Sequence, residues 1–152
     1  MSNGLTPEAY SDVFERLERE GVRYVVVGGV AVVMRGHVRP IPDLDMVVNS
    51  EPGEMNRAVG VLCGLGFVPS IPLPPSLLTV LRMFDPSQRE VNIIFRPHVP
   101  FAELWEDCEP MPLGRGVVRV ASLEHLLRAK RIHGRPHDLS DIEALLRPGA
   151  GG

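Results

Sequence analysis

The chain has 152 residues, a formal net charge of −3, 15 glycines and 15 prolines. That length favours one domain with a real core, and the slightly acidic balance excludes a global basic field for nucleic acid, local basic clusters aside. No apolar run approaches a membrane span, and the opening M-S-N-G-L-T-P-E lacks a basic segment followed by an apolar core, so the expectation is a soluble, cytoplasmic protein with no membrane partner.

Thr6-Pro7-Glu8 begins a helix, with Thr as N-cap, Pro in the first turn and an acid at the positive end of the dipole. Tyr10, Val13, Phe14 and Leu17 form its apolar face, and Gly21 ends it. Tyr24 to Val27 is short, β-branched and apolar, a buried strand. Gly28 and Gly29 let the backbone turn sharply and approach whatever lies above. Val30 to Met34 begins a helix whose free N–H groups suit a phosphate.

Leu44 to Val48 is a second strand with Asp43 and Asp45 at its start. Strand side chains alternate, so the two carboxylates share a face and Leu44 takes the other. Such a pair can converge on divalent cations, and Mg²⁺ is held by one or two carboxylates plus substrate phosphates. The plain alternative is a solvated strand end. The strand–Gly-Gly–helix unit beside the pair favours the metal reading, because it supplies a phosphate surface.

Asn49 to Gly53 reads as a turn, and Glu54 to Gly64 as a helix with Met55, Ala58, Val59 and Leu62 inward. Cys63 falls in that pattern and is expected as a small core residue; neither it nor Cys108 has a metal-type spacing or argues for a disulfide. Phe67-Val68 starts another extended piece. Pro69 to Ser76 carries four prolines and must be irregular, as a surface connection or as a rim over the site. Leu77 to Phe84 and Glu90 to Phe95 flank the turn sequence Asp85-Pro86-Ser87-Gln88 and form a hairpin.

Phe101 to Asp107 is a short helix burying Phe101, Leu104 and Trp105; Trp105 reads as a core or lid-packing residue ahead of a base-stacking one. Gly116 to Val120 is a last strand, placed at the sheet edge. Ser122 caps a helix with Leu123, Leu126, Leu127 and Ala129 on its apolar side, ending near His133-Gly134. A second helix from about Asp138 carries Leu139, Ile142, Leu145 and Leu146, and the tail Pro148 to Gly152 reads as frayed. His37, His133 and His137 lack a zinc spacing and read as surface or hinge residues.

The stretch V-G-G-V-A, then Arg39, then P-D-L-D-M-V-V resembles the core motif of the nucleotidyltransferase superfamily, the DNA polymerase β-like fold. It is similar in particular to small prokaryotic members of abortive-infection and toxin–antitoxin systems. The run from Val120 to Leu146, with a Lys, an Arg and then D-L-x-D-I, resembles the C-terminal helical hairpin of the same proteins, and the two matches occur in the family's order. The resemblance implies Mg²⁺-dependent (or Mn²⁺-dependent) transfer of a nucleotidyl group from an NTP such as ATP, with Asp43 and Asp45 as metal ligands. It implies that Gly28, Gly29 and Arg39 border the nucleotide, that Lys130 reaches the triphosphate and Arg135 assists, and that Asp138 holds the helix start or pairs with a cation. Read from the residues, Asp138 and Asp141 are capping and surface-pairing groups.

Two positions depart from the family pattern. Asn92, in Val91-Asn92-Ile93-Ile94-Phe95, stands where a third carboxylate is expected, and Ile41 where a Thr is usual. Asn offers a metal an oxygen but cannot take a proton from an attacking hydroxyl. Glu90, two residues earlier on the same strand face, is either its substitute or a solvent-facing residue.

The expected fold is therefore α/β over residues 1–152: a small mixed, twisted sheet with packed helices as a core over 5–120, and a helical hairpin over 122–147 folded back onto it. The expected function is nucleotidyl transfer to an RNA, protein or small-molecule acceptor. The alternative is a binding module that keeps the fold without turnover, for example one partner of a toxin–antitoxin pair.

Overall fold

A computed structural model of the chain describes residues 4–72 and 74–147. Among these, the short β-branched and apolar runs become strands β1 (Val25–Val27), β2 (Leu44–Val47), β3 (Val68–Pro69), β4 (Val80–Phe84), β5 (Glu90–Ile94), β6 (Glu109–Leu113) and β7 (Gly116–Val120). They form one mixed sheet in the order β3-β4-β5-β2-β1-β7-β6. β1 runs parallel to β7 and β2 parallel to β5; the other neighbours are antiparallel. The helices are α1 (Ser11–Arg19), α2 (Gly28–Met34), α3 (Pro52–Gly64), α4 (Phe101–Asp107), α5 (Leu123–His133) and α6 (Pro136–Leu145). The expected α/β architecture is the observed one.

Burial explains the arrangement. Tyr10, Val13, Phe14 and Leu17 are buried together, and Phe14 stacks on Tyr24 with ring centroids 6.0 Å apart. Val26, Met46 and Ile93, on three neighbouring strands, are wholly buried. Side chains alternate along each strand, so Val27, Val47 and Ile94 turn to the opposite face, where they line a cavity shared with α5. The Ser122 hydroxyl caps α5 by accepting from the His125 N–H at 3.1 Å, and Gly134 closes the helix at φ 60°. The C-terminal hairpin is tied to the loop before β2 by Arg39, whose guanidinium donates to both oxygens of Asp141 at 3.0 and 3.1 Å.

Several expectations need correction. The first helix opens as a 3-10 turn over Pro7–Tyr10, and Thr6 precedes it without a side-chain cap bond. Cys63 is exposed, because the buried face of α3 is Met55, Ala58, Val61 and Leu62, and the next residue turns outward. β7 is not an edge: it lies between β1 and the unanticipated β6, whose Pro110 and Pro112 disguise it as a loop. Prolines belong on an outer strand, where missing donors cost no ladder bond and discourage pairing with another chain. Leu139 on α6 and Leu146 at its C-cap are more than half exposed, while Asp138 and Asp141 are buried. Residues 148–152 and Leu73 lie outside the described residues, and with them the expectation of a frayed tail. Among the described residues no helix is long and apolar enough to cross a membrane.

Candidate functional site

β2 and β5 run in parallel register, with Asp45 beside Asn92. Alternation puts Asp43, Asp45, Glu90 and Asn92 on one face at one end of the sheet. The Asn92 amide donates from Nδ2 to Asp45 Oδ1 at 2.9 Å and to Asp43 Oδ2 at 3.3 Å, so one nitrogen spans both carboxylates. Asn92 is buried, and its Oδ1 has no hydrogen-bond partner. Among the described residues neither aspartate forms an ion pair.

Electrostatics mark this end of the sheet as short of positive charge. Burial, then the Asp45 and Glu90 charges, push Asp43 up to about 6 against the amide's opposing hydrogen bond. Asp45 is raised too, by burial first, with Asn92 and the more distant Lys130 charge acting the other way. Glu90 is not in open solvent: its side chain is about a fifth exposed, and the nearest cation is Arg82 Nε at 3.9 Å. Tyr10 donates its hydroxyl to the Glu90 carbonyl at 3.0 Å, and burial together with the Asp43 charge raises this phenol to about 12, so it stays protonated.

The glycine turn lies against the same carboxylates. Gly28 opens α2 at φ 66°, a left-handed conformation that side chains rarely adopt. A Cβ there would collide with Asp45 Oδ2, so both the conformation and the space demand glycine. At Gly29 a Cβ would lie 3.2 Å from Arg39 Nη2, which places that guanidinium on the first turn of α2.

Lys130 is buried on α5, between two aspartates of α6. Its Nζ lies 3.2 Å from Asp138 Oδ1 and 3.0 Å from Asp141 Oδ2. Asp141 also holds Arg39 and has His37 Nε2 at 3.4 Å. Asp138 accepts from the Arg135 side chain at 2.6 Å and from its backbone N–H at 3.2 Å, closing the start of α6, with His137 at 3.5 Å. Burial would raise Asp138, but the bonds from Arg135 and Lys130 outweigh it and hold the acid at about 2.

The two clusters meet at a cavity of about 380 Å³. Gly28, Asp45, Lys130 and Arg135 all line it; Val27, Val47, Ile94, Leu126 and Ala129 add apolar surface, and Arg96, His98, Arg128 and His133 add polar groups. The volume suits a small-molecule ligand.

Of the residues expected at a site, Gly28, Asp45, Lys130 and Arg135 share this cavity, Asn92 links Asp43 to Asp45, and Arg39 rests on Gly29. Asp138 and Asp141 are not surface groups, and His37 is half-buried beside Asp141. Trp105 is half-buried, stacked on Phe101 at 6.2 Å with the Arg119 guanidinium 5.5 Å above it. Asp141 was missed although the signal was available. Asp138, Asp141 and Leu145 recur at helical spacing on one face, so burial of the leucine carries both acids inward.

Among the described residues there is no group of three or more His, Cys, Asp or Glu arranged for a metal. The oxygen donors that converge are the carboxylates of Asp43 and Asp45; the Asn92 amide turns its nitrogen, not its oxygen, toward them. That set fits Mg²⁺ or Mn²⁺, hard cations that take oxygen ligands and complete their shell with phosphate and water; it does not fit zinc, which prefers nitrogen and sulfur.

No protein-family model and no curated protein matches the chain. Solved structures do. A lincosamide antibiotic adenylyltransferase, LnuA, bound to lincomycin superposes with a TM-score of 0.68 at 15% identity, over 93% of this chain and 96% of that one. A nucleotidyltransferase of Thermotoga maritima, TM1012, described as putative, gives 0.66 at 15% identity over 91% and 90%. ANT(2")-Ia in complex with adenylyl-2"-tobramycin gives 0.64 at 13% identity over 90% and 85%. At such identities the likeness speaks for architecture, and it agrees with the two sequence motifs: this chain has the nucleotidyltransferase fold.

Proposed function

We propose that this protein is a nucleotidyltransferase that uses Mg²⁺ or Mn²⁺ and moves a nucleotidyl group from an NTP to an acceptor hydroxyl. The observation that carries this reading is the convergence of Asp43 and Asp45 beside the Gly28 turn, on a cavity that Lys130 also lines. Asp43 and Asp45 would hold the metal, which neutralises charge on the attacking and leaving oxygens of an in-line displacement. Gly28 and Gly29 admit the phosphates to the backbone, and Lys130, Arg39 and Arg135 supply fixed positive charge. The acceptor oxygen bonds to the α-phosphorus as the bond to pyrophosphate breaks, and the hydroxyl proton passes to a base. Glu90 is the carboxylate available for that proton, because Asn92 cannot accept it.

Two structural relatives are an antibiotic adenylyltransferase bound to lincomycin and a protein in complex with adenylyl-2"-tobramycin. A small molecule is therefore the acceptor to test first, ahead of RNA or protein. The test is incubation with each of the four α-labelled NTPs and Mg²⁺, with a panel of hydroxylated antibiotics and, separately, with cell extract. Label should move to an acceptor in wild type and not in Asp43→Asn/Asp45→Asn.

One observation favours a second reading. The Asn92 amide already bridges both acids, as a third carboxylate could not. A protein in this state would bind an NTP and transfer nothing, as a partner in a toxin–antitoxin pair or another binding module. Asn92→Asp separates the two. Gain of transfer in a variant of an inactive wild type supports the binding module; an active wild type that loses label transfer with Glu90→Gln supports the enzyme.

A further inference from the structure

Asp141 is a buried carboxylate that collects cations from both ends of the chain. Lys130 comes from α5 and Arg39 from the loop after α2, where the His37 ring also lies beside the carboxylate. A buried, multiply paired acid is a poor way to gain stability, since well-packed apolar residues often do as well. Its position accounts for it. Arg39, gripped by both Asp141 oxygens, lies against Gly29. Lys130, held by the same carboxylate, stands on the cavity wall with Gly28 and Asp45. One carboxylate oxygen thus holds both cations, Arg39 against Gly29 and Lys130 in the cavity that Gly28 lines. Asp138 has a different task, because its other bonds go to Arg135 at the start of its own helix.

Lys130 has a long, flexible stem and a point charge. Asp45 lines the same cavity as Lys130. Without Asp141, one of the lysine's two anchors is gone, and Asp45 competes for the ammonium.

We propose, on the nucleotide reading above, that Asp141 is a positioning residue: it aims Lys130 and Arg39 at the outer phosphates of the NTP and keeps Lys130 off the metal-binding acid Asp45. It touches neither nucleotide nor metal. A group that orients binding cations affects the charged part of the ligand and leaves the rest alone.

The test is calorimetric titration, with Mg²⁺ present, of whichever of the four NTPs wild type binds tightest, with the matching nucleoside as control. Asp141→Asn should weaken NTP binding roughly tenfold, the loss typical of removing a partner that orients a binding group, with nucleoside affinity unchanged. Asp141→Glu, which keeps the charge, should recover part of the loss. Unchanged NTP affinity in Asp141→Asn, or equal losses for NTP and nucleoside, would overturn the assignment while leaving the nucleotide reading intact. A wild type that binds none of the four NTPs overturns both. Should Asp141→Asn fail to fold by circular dichroism, Asp141→Glu carries the test, since it keeps the charge and moves the carboxylate that orients both cations. NTP binding weaker than wild type with nucleoside binding unchanged supports the assignment, and unaltered NTP binding overturns it.

Discussion

Two clusters of charged groups each contribute residues to the cavity, and they are built on opposite principles. On the sheet, Asp43, Asp45 and Glu90 gather with one amide between them, and Asp43 is driven up to about 6. On the hairpin, Asp138 and Asp141 are matched by Lys130, Arg39 and Arg135, and Asp138 is held at about 2. The hairpin cluster is complete without a ligand. The sheet cluster is short of positive charge and has strong reason to accept a cation. The hairpin thus holds its cations in fixed places, whereas the sheet leaves its acids uncompensated, although perturbed groups occur in both.

The sharpest way to break the contrast is to unbalance the hairpin. Lys130→Met removes the cation shared by two buried acids. Breaking a buried pair by removing one partner costs about 3–5 kcal/mol, and urea unfolding should show a loss of that order. A loss near that of an exposed ion pair would mean that the cluster is solvated and the comparison wrong.

A smaller effect is expected at the glycine turn. Gly28→Ala places a side chain at φ 66° and into Asp45. The left-handed conformation alone costs about 1–2 kcal/mol, so unfolding should report at least that much. NTP binding should fall further than stability does, because Asp45 is displaced.

The smallest effect has the opposite sign. Asp43 has a folded pKa above its unfolded value, so the folded state binds the extra proton between about pH 4 and 6. Its charge therefore opposes folding fully above pH 6, and that opposition fades as pH falls toward 4. Asp43→Asn should raise stability at pH 8 by about 1 kcal/mol, or a Tm gain of roughly 2–4 °C, and the gain should vanish near pH 4. Asp138 runs the other way: its depressed pKa adds stability above about pH 4 that is lost as pH falls toward 2. Asp138→Asn should destabilise at pH 8. The same change of acid to amide would thus strengthen one cluster and weaken the other.

Much of the sheet cluster was legible in the sequence, because strand alternation is a strict rule. Asp43, Asp45 and Asn92 lie on one face as their spacing demands, and Gly28 adopts the conformation that only glycine holds readily. The hairpin cluster was legible only in part. Its helices and the Ser122 cap follow from periodicity and capping chemistry. The burial of Asp138 and Asp141 was legible only through their helical spacing with Leu145, because polarity by itself argues for the surface and Arg39, which pairs with Asp141, lies 102 residues away. β6 was hidden for a related reason: its prolines are tolerated because of where the strand lies in the sheet, which no local pattern records.

If the uncompensated acids take a divalent cation together with an NTP, titration of the four NTPs into wild type and into Asp43→Asn/Asp45→Asn, each with and without Mg²⁺, reveals it. Mg²⁺ should strengthen NTP binding in wild type, and this dependence should disappear in the double variant. Equal metal dependence in both proteins would contradict it, because the ligands of the metal would then lie elsewhere.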